Sequence, residues 1–201
     1  MRRCLLCVIS ALVPLVAAGS DPASPASADA TDAIAICEID AWSTDTDPEG
    51  LAVRAGPGTD SPVIARLPPP LKVGDEAFAA EVSITGSTDG WFRIDNAILI
   101  NYIDDEPAKV VFEGESWVSG RYLGLSLNDR YLHRGPADGA PVVATLSREL
   151  PDGQYAGPDS FLVDRLHACQ GHWVEVEGTY PGTRLRGWAT RTCANQVTTC
   201  P

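Results

Sequence analysis

Two stretches of this chain are one module written twice. Residues 51–67 (LAVRAGPGTDSPVIARL) align without a gap, at an offset of 79, with residues 130–146 (RYLHRGPADGAPVVATL). The identical positions are Gly56/Gly135, Pro57/Pro136, Pro62/Pro141, Val63/Val142, Ala65/Ala144 and Leu67/Leu146. The early ones are turn residues. The last three fall at spacing two, which in a strand places Val, Ala and Leu on one face. That face is expected to be buried, while Ile64/Val143 and Arg66/Thr145 are free to differ. A repeat that keeps its turn and its inward face indicates a duplicated small fold.

The turn chemistry differs slightly between the copies. Gly56-Pro57-Gly58-Thr59 puts Pro second and Gly third, the pattern of a type II turn. Ala137 stands where the first copy has Gly58, and alanine resists positive φ, so the second turn should shift toward type I. Pro62 and Pro141 then open strands at a position where a missing amide costs least. Each copy next reaches an aromatic strand, Trp91-Phe92-Arg93-Ile94 after Asp89-Gly90 and Trp173-Val174-Glu175-Val176 after Gly171-His172. A second tryptophan strand closes each copy, at residues 116–123 and 186–190. Short β segments broken by Gly and Pro, with no helical periodicity, predict an all-β chain of small barrels. Between Asp95 and Gly114 the first copy carries an insertion that includes the acidic run Asp104-Asp105-Glu106.

This order of motifs resembles the bacterial SH3-like family, SH3b. The resemblance rests on VRAGPG at Val53 to Gly58 with its following apolar strand, on Gly90-Trp91-Phe92, and on WVSGRYL at Trp117 to Leu123. The second copy departs from it, with Leu132-His133-Arg134 in place of the Val-Arg-Ser-like run, while Gly187-Trp188 restores the closing strand. The fold it implies is two small SH3-like β-barrels in tandem. They would occupy residues 36–124, with the insertion at 95–114, and residues 125–201, with a disulfide-braced tail. It further implies a non-catalytic module, without a cofactor, that engages peptidoglycan peptides or other proteins. That is an inference from fold, which does not fix function.

The N-terminal residues are a separate object. Arg2 and Arg3 precede an apolar run from Cys4 to Ala18, and Val16-Ala17-Ala18 before Gly19 fits the small-x-small cleavage rule. Residues 1–18 are therefore read as a signal peptide, with an uncleaved anchor as the alternative and Ala26-Ser27-Ala28 as a second processing site. Residues 19–35 hold almost nothing large to bury and read as a disordered linker. Export places the protein in the periplasm or outside the cell. Loss of the two signal arginines moves the formal net charge from -12 to -14. With no basic patch apparent in the sequence, nucleic acid is excluded as a partner and membrane binding after cleavage is not expected.

Four cysteines remain after cleavage, Cys37, Cys169, Cys193 and Cys200, and an even number in an exported chain predicts two disulfides. A hairpin of residues 173–177 and 187–190, turning around residues 180–183, would bring Cys169 opposite Cys193 and leave Cys37 with Cys200. Cys193 with Cys200 is the local rival. His167-x-Cys169-x-x-His172 also has metal-ligand residue types, with Cys193 as a possible fourth, but alternation turns His172 away from the other two. Asp45-x-Asp47-x-Glu49-Gly50 has the opening of a calcium loop, yet the twelfth position is Gly56 rather than a carboxylate. A solvated acidic loop is the simpler reading, and no metal is expected.

No spacing singles out a nucleophile with its base or a carboxylate pair, so the chain is read as a non-enzyme. Trp91, Trp117, Trp173 and Trp188 are expected to fill the cores. Trp42, Phe92, Tyr122 and Tyr131, at strand edges or loops, are the candidate ligand-stacking rings, together with Asp104, Asp105 and Glu106. The leading expectation is an exported binding protein for a protein partner or a cell-wall peptide. An inhibitor or immunity protein of a wall hydrolase, and a structural spacer or homodimer, are the alternatives.

Overall fold

Alternating burial builds the first strand of the fold. In β1 (Ala35–Ser43) the side chains of Cys37, Ile39, Ala41 and Ser43 turn inward while Glu38, Asp40 and Trp42 take the other face. The computed structural model describes residues 33–103, 106–198 and 200. Among these the protein is all-β, its helical content limited to two three-residue 3-10 turns, and it contains a sheet curled into a half-barrel. Residues 1–18, read as a signal peptide, most of the expected linker, and Asp104 and Asp105 lie outside the described residues. The described residues form one compact unit.

After β1 the first half continues with β2 (Leu51–Arg54), β3 (Val63–Leu67), the small hairpin β4 (Leu71–Val73) and β5 (Glu76–Phe78), then β6 (Glu81–Thr88), β7 (Trp91–Leu99) and β8 (Lys109–Ser119). A 3-10 turn, Gly120–Tyr122, leads into β9 (Leu123–Gly124). The second half runs through β10 (Ser126–Leu127), β11 (Tyr131–His133), β12 (Val142–Thr145), the hairpin β13 (Arg148–Glu149) and β14 (Tyr155–Ala156), then β15 (Leu162–Gln170), β16 (Trp173–Tyr180), β17 (Thr183–Ala189) and β18 (Thr192–Cys193). The large sheets have the orders β3-β2-β8-β7-β6-β1-β9 and β12-β11-β17-β16-β15. The first five positions correspond strand for strand.

The duplication extends to single residue pairs. Ala52↔Arg66, Val53↔Ala65 and Arg54↔Val63 in the first half become Tyr131↔Thr145, Leu132↔Ala144 and His133↔Val142 in the second, each at the offset of 79, with a bulge at the same step. Arg54 pairs with Trp117, and His133 with Trp188. The inward face of the repeat is graded, contrary to the expectation of three buried residues. Leu67 and Leu146 are fully buried and Ala65 and Ala144 are half-buried, but Val63 and Val142 are 44% and 49% exposed. The bulge turns the outer end of this hairpin away from the core, and Val lies beyond it.

The repeated turns also close two residues later than expected. The bonds run from the Ser61 amide to the Gly58 carbonyl and from the Ala140 amide to the Ala137 carbonyl. Gly58 takes a φ of +148° that Ala137 does not share, as the steric difference requires. The insertion at 95–114 is mostly a longer hairpin. β7 and β8 stay paired out to Leu99↔Lys109, and Tyr102 near its tip packs edge-on against Phe78 at 5.4 Å and donates to Glu81.

The cysteine pairing is Cys37–Cys169 and Cys193–Cys200: the local rival forms, and the preferred Cys169–Cys193 with Cys37–Cys200 does not. The expected hairpin does form, as β16 with β17. However, Cys169 lies on β15, on the opposite side of β16 from β17, so Cys193 is not on its neighbouring strand. Cys169 instead meets β1 of the first half. Around that disulfide, the Ser87 hydroxyl accepts from the Cys169 amide at 2.8 Å, and the Glu38 and Gly171 amides donate to the Gly171 and Ile36 carbonyls at 2.9 Å each. Gly120 allows a close approach of the two halves: a Cβ there would stand 2.3 Å from the Leu166 carbonyl oxygen and 2.5 Å from the Phe92 ring. The Gln196 side chain binds both the amide and carbonyl of Ala79, so the tail also ties back to the first half.

Candidate functional site

The sequence-predicted ring set does not come together. Phe92 is fully buried, which corrects its assignment as an exposed ring: on β7 it shares a face with Ile94, also fully buried, while its neighbours Trp91 and Arg93 are half-buried on the other. Trp42 is half-buried against Gly124 and faces a concavity formed with the C-terminal tail at Asn195 to Thr198. Tyr131 is exposed at another concavity, beside Arg130 and Tyr155. Glu106 is exposed on the insertion, and Asp104 and Asp105 fall outside the described residues. Of the four tryptophans expected in the cores, Trp117 is buried, whereas Trp91, Trp173 and Trp188 are half-buried.

Tyr122 does reach a cavity with chemical character. It lines a space of about 420 Å³ together with Trp91 and the arginines Arg54, Arg66, Arg121 and Arg165. Local structure sets each wall. Asp89 and Gly90 both take positive φ, +47° and +76°, which is the two-residue hairpin geometry an Asp-Gly pair supplies, and Trp91 begins the strand that follows. The Ser119 hydroxyl caps the 3-10 turn by accepting from the Arg121 amide at 3.4 Å, and the turn presents Arg121 and Tyr122 side by side.

Two of the arginines are held in place. The Arg54 guanidinium donates to the Thr59 and Ser61 carbonyls at 2.8 and 2.7 Å and lies 5.9 Å from the centre of the Trp91 ring. In the second half the same place is taken by His133, whose Nδ1 is 3.0 Å from the Ala140 carbonyl and whose ring meets Trp173 edge-on at 5.2 Å. Arg66 pairs with Glu49 at 3.1 Å and donates to the Gly50 carbonyl. By contrast, neither Arg121 nor Arg165 has an ion-pair partner among the described residues. Arg165 projects from β15 of the second half, and its Nε is buried without a hydrogen-bond partner. Leaving a buried donor unsatisfied costs about 1–3 kcal/mol.

Asp45 and Asp47 also line this cavity. Their spacing, which suggested a metal loop, is spent on the backbone: Asp45 Oδ1 accepts from the Asp47 amide at 3.0 Å and Asp47 Oδ1 from the Glu49 amide at 2.8 Å. The other suggested metal set is likewise committed elsewhere. Cys169 is in a disulfide, His167 Nε2 lies 2.7 Å from Glu177, and His172 Nδ1 faces the Glu38 carbonyl. Glu177 also accepts from Arg184, and that hydrogen bond, then the one from His167, holds its carboxyl below the usual value.

No family model, curated protein or solved structure matches this chain. Among the described residues no helix is long and apolar enough to cross a membrane, and the two disulfides are compatible with an exported protein. Reading the sequence alone missed the arginine cluster. Its members are 54, 66, 121 and 165, with no run of basic residues to mark them. The one available signal was Arg54 within VRAGPG, next in space to an aromatic strand that the repeat itself pointed to.

Proposed function

We propose that this chain is an exported, non-enzymatic binding protein whose two halves are SH3-like barrels and whose ligand is a protein segment or a cell-wall peptide. The observation that carries this reading is the cavity beside Trp91. Its walls are two aromatic rings and four arginines, groups that stack and hydrogen-bond, with no Ser, Cys or His nucleophile–base couple among its lining residues. The repeated strand order and register support the tandem arrangement, and the disulfides favour an oxidising compartment.

The test is retention of the mature protein on purified peptidoglycan and on immobilised envelope proteins, at low and moderate salt. Trp91→Ala and Tyr122→Ala are expected to weaken retention about tenfold or more, the range for an aromatic anchor. Retention by neither material, or equal retention of both variants and the parent, overturns the reading.

A further inference from the structure

We infer that the cavity beside Trp91 is a carboxylate site that receives the free C-terminal end of a peptide, with Arg121 and Arg165 as the groups that hold the carboxylate. The inference deepens the proposed binding role and rests on it. The whole chain carries 27 acidic residues against 15 basic, yet four arginines converge on this one cavity. Arg54 and Arg66 are occupied by backbone carbonyls and Glu49, so their contribution to a ligand is a fixed positive field. Arg121 and Arg165 have no ion-pair partner among the described residues. A planar guanidinium in that state is matched by a carboxylate, which takes two parallel N–H bonds from such a fork.

The charge balance decides between a carboxylate and a phosphate. Against the four arginines stand Asp45 and Asp47 of the lining and Glu49, the ion-pair partner of Arg66, which leaves one positive charge in excess. Each aspartate turns one oxygen to a backbone amide. A monoanion neutralises that single excess charge, whereas a dianion leaves the site with a net negative charge. Trp91 and Tyr122 supply apolar faces for the residue that precedes the carboxylate, and about 420 Å³ accommodates a short chain end rather than a polymer. Arg165 belongs to the second half and the other three arginines to the first. The site is therefore complete only when both halves are docked.

Calorimetric titration of the disulfide-intact protein tests this, with N-acetyl-alanyl-alanine as the acid, its C-terminal amide, and inorganic phosphate as probes. The acid is expected to bind about tenfold or more tightly than the amide, and its affinity should fall as salt rises. Arg165→Gln should remove most of that preference and Arg165→Lys should restore only part of it, because charge returns without the fork. Arg121→Gln, at an exposed position that cannot disturb the core, should also lose severalfold and serves if Arg165→Gln fails to fold. Equal binding of acid and amide, tighter binding of phosphate, or an unchanged Arg121→Gln overturns the inference. If neither alanyl probe binds while Trp91→Ala still abolishes retention on wall or protein, the carboxylate site falls and the binding role stands. If the acid binds but Trp91→Ala leaves retention unchanged, the reverse holds.

Discussion

Replacing Gly120 by alanine tests how the two halves are held together. The added methyl would stand 2.3 Å from the Leu166 carbonyl oxygen and 2.5 and 2.9 Å from two carbons of the Phe92 ring. Neither obstacle can swing aside, because one is strand backbone and the other a fully buried ring. Gly120 does not have positive φ, so the cost is steric overlap alone. Overpacking of this kind costs about 1–3 kcal/mol, and alanine returns about 0.4–1 kcal/mol by restricting the unfolded chain. The net expectation is a loss of about 1–2 kcal/mol, or about 2–8 °C in Tm for a domain of this size. The matched control is Gly139→Ala, where φ is not positive and nothing lies within 4 Å, so the entropic gain appears unopposed. Urea unfolding of both variants with disulfides intact gives the comparison. If Gly120→Ala is as stable as Gly139→Ala, β15 does not pack on the 3-10 turn as described. Because Leu166 adjoins Arg165, Gly120→Ala should also weaken ligand binding at the Trp91 cavity.

Three further outcomes follow from burial and bonding. Removing Cys37–Cys169, which spans 132 residues, should cost about 5 kcal/mol by loop-closure entropy, against about 2.5 kcal/mol for Cys193–Cys200, which spans 7; paired Cys→Ser variants compared by urea midpoint check the order. Phe92→Ala should lose about 3–5 kcal/mol of stability, since the ring is fully buried; a stable variant defective only in binding would return Phe92 to the ligand surface. Glu177, whose carboxyl is depressed by Arg184 and then His167, adds stability above its ordinary value of 4.5 and loses it as pH falls below that. Glu177→Gln should therefore be less stable at pH 7 and show a flatter decline below pH 4.5 than the parent; parallel pH profiles would contradict this.

Much of the fold was legible because it is repeated. The offset of 79 that aligns the two turn segments is the offset of the strand register, down to the bulge at Val53/Arg54 and Leu132/His133. The 173–190 hairpin was likewise readable from its turn and tryptophans. Phe92 was misplaced although the signal was present: Arg93 between Phe92 and Ile94 marks the two apolar residues as sharing an inward face. The local pair Cys193–Cys200 was readable as an alternative from its short spacing, but choosing it over Cys169–Cys193 depends on β15 lying between β16 and the first half, a tertiary fact with no local signature. The candidate site was hidden for the same reason. Tyr122 could be picked as an accessible ring, but Arg165 joins it only through the docking of two halves whose contact includes Gly120, Ser87 and the Cys37–Cys169 disulfide.

The covering of β15 has a consequence for dissecting the protein. In the first half β1 pairs along β6 and closes that side of the sheet, whereas in the second half the two residues of β10 pair only with β18 and leave β15 as a terminal strand. Cut the chain near Asn128, and the first fragment keeps its β6 edge paired. The second fragment would expose the outer edge of β15, a nine-residue strand whose other edge pairs with β16, and such an edge is a template on which chains self-associate. The repeats are alike in sequence and unequal at this edge: the first covers it with its own β1, and the second leaves it as a terminal strand beside its neighbour.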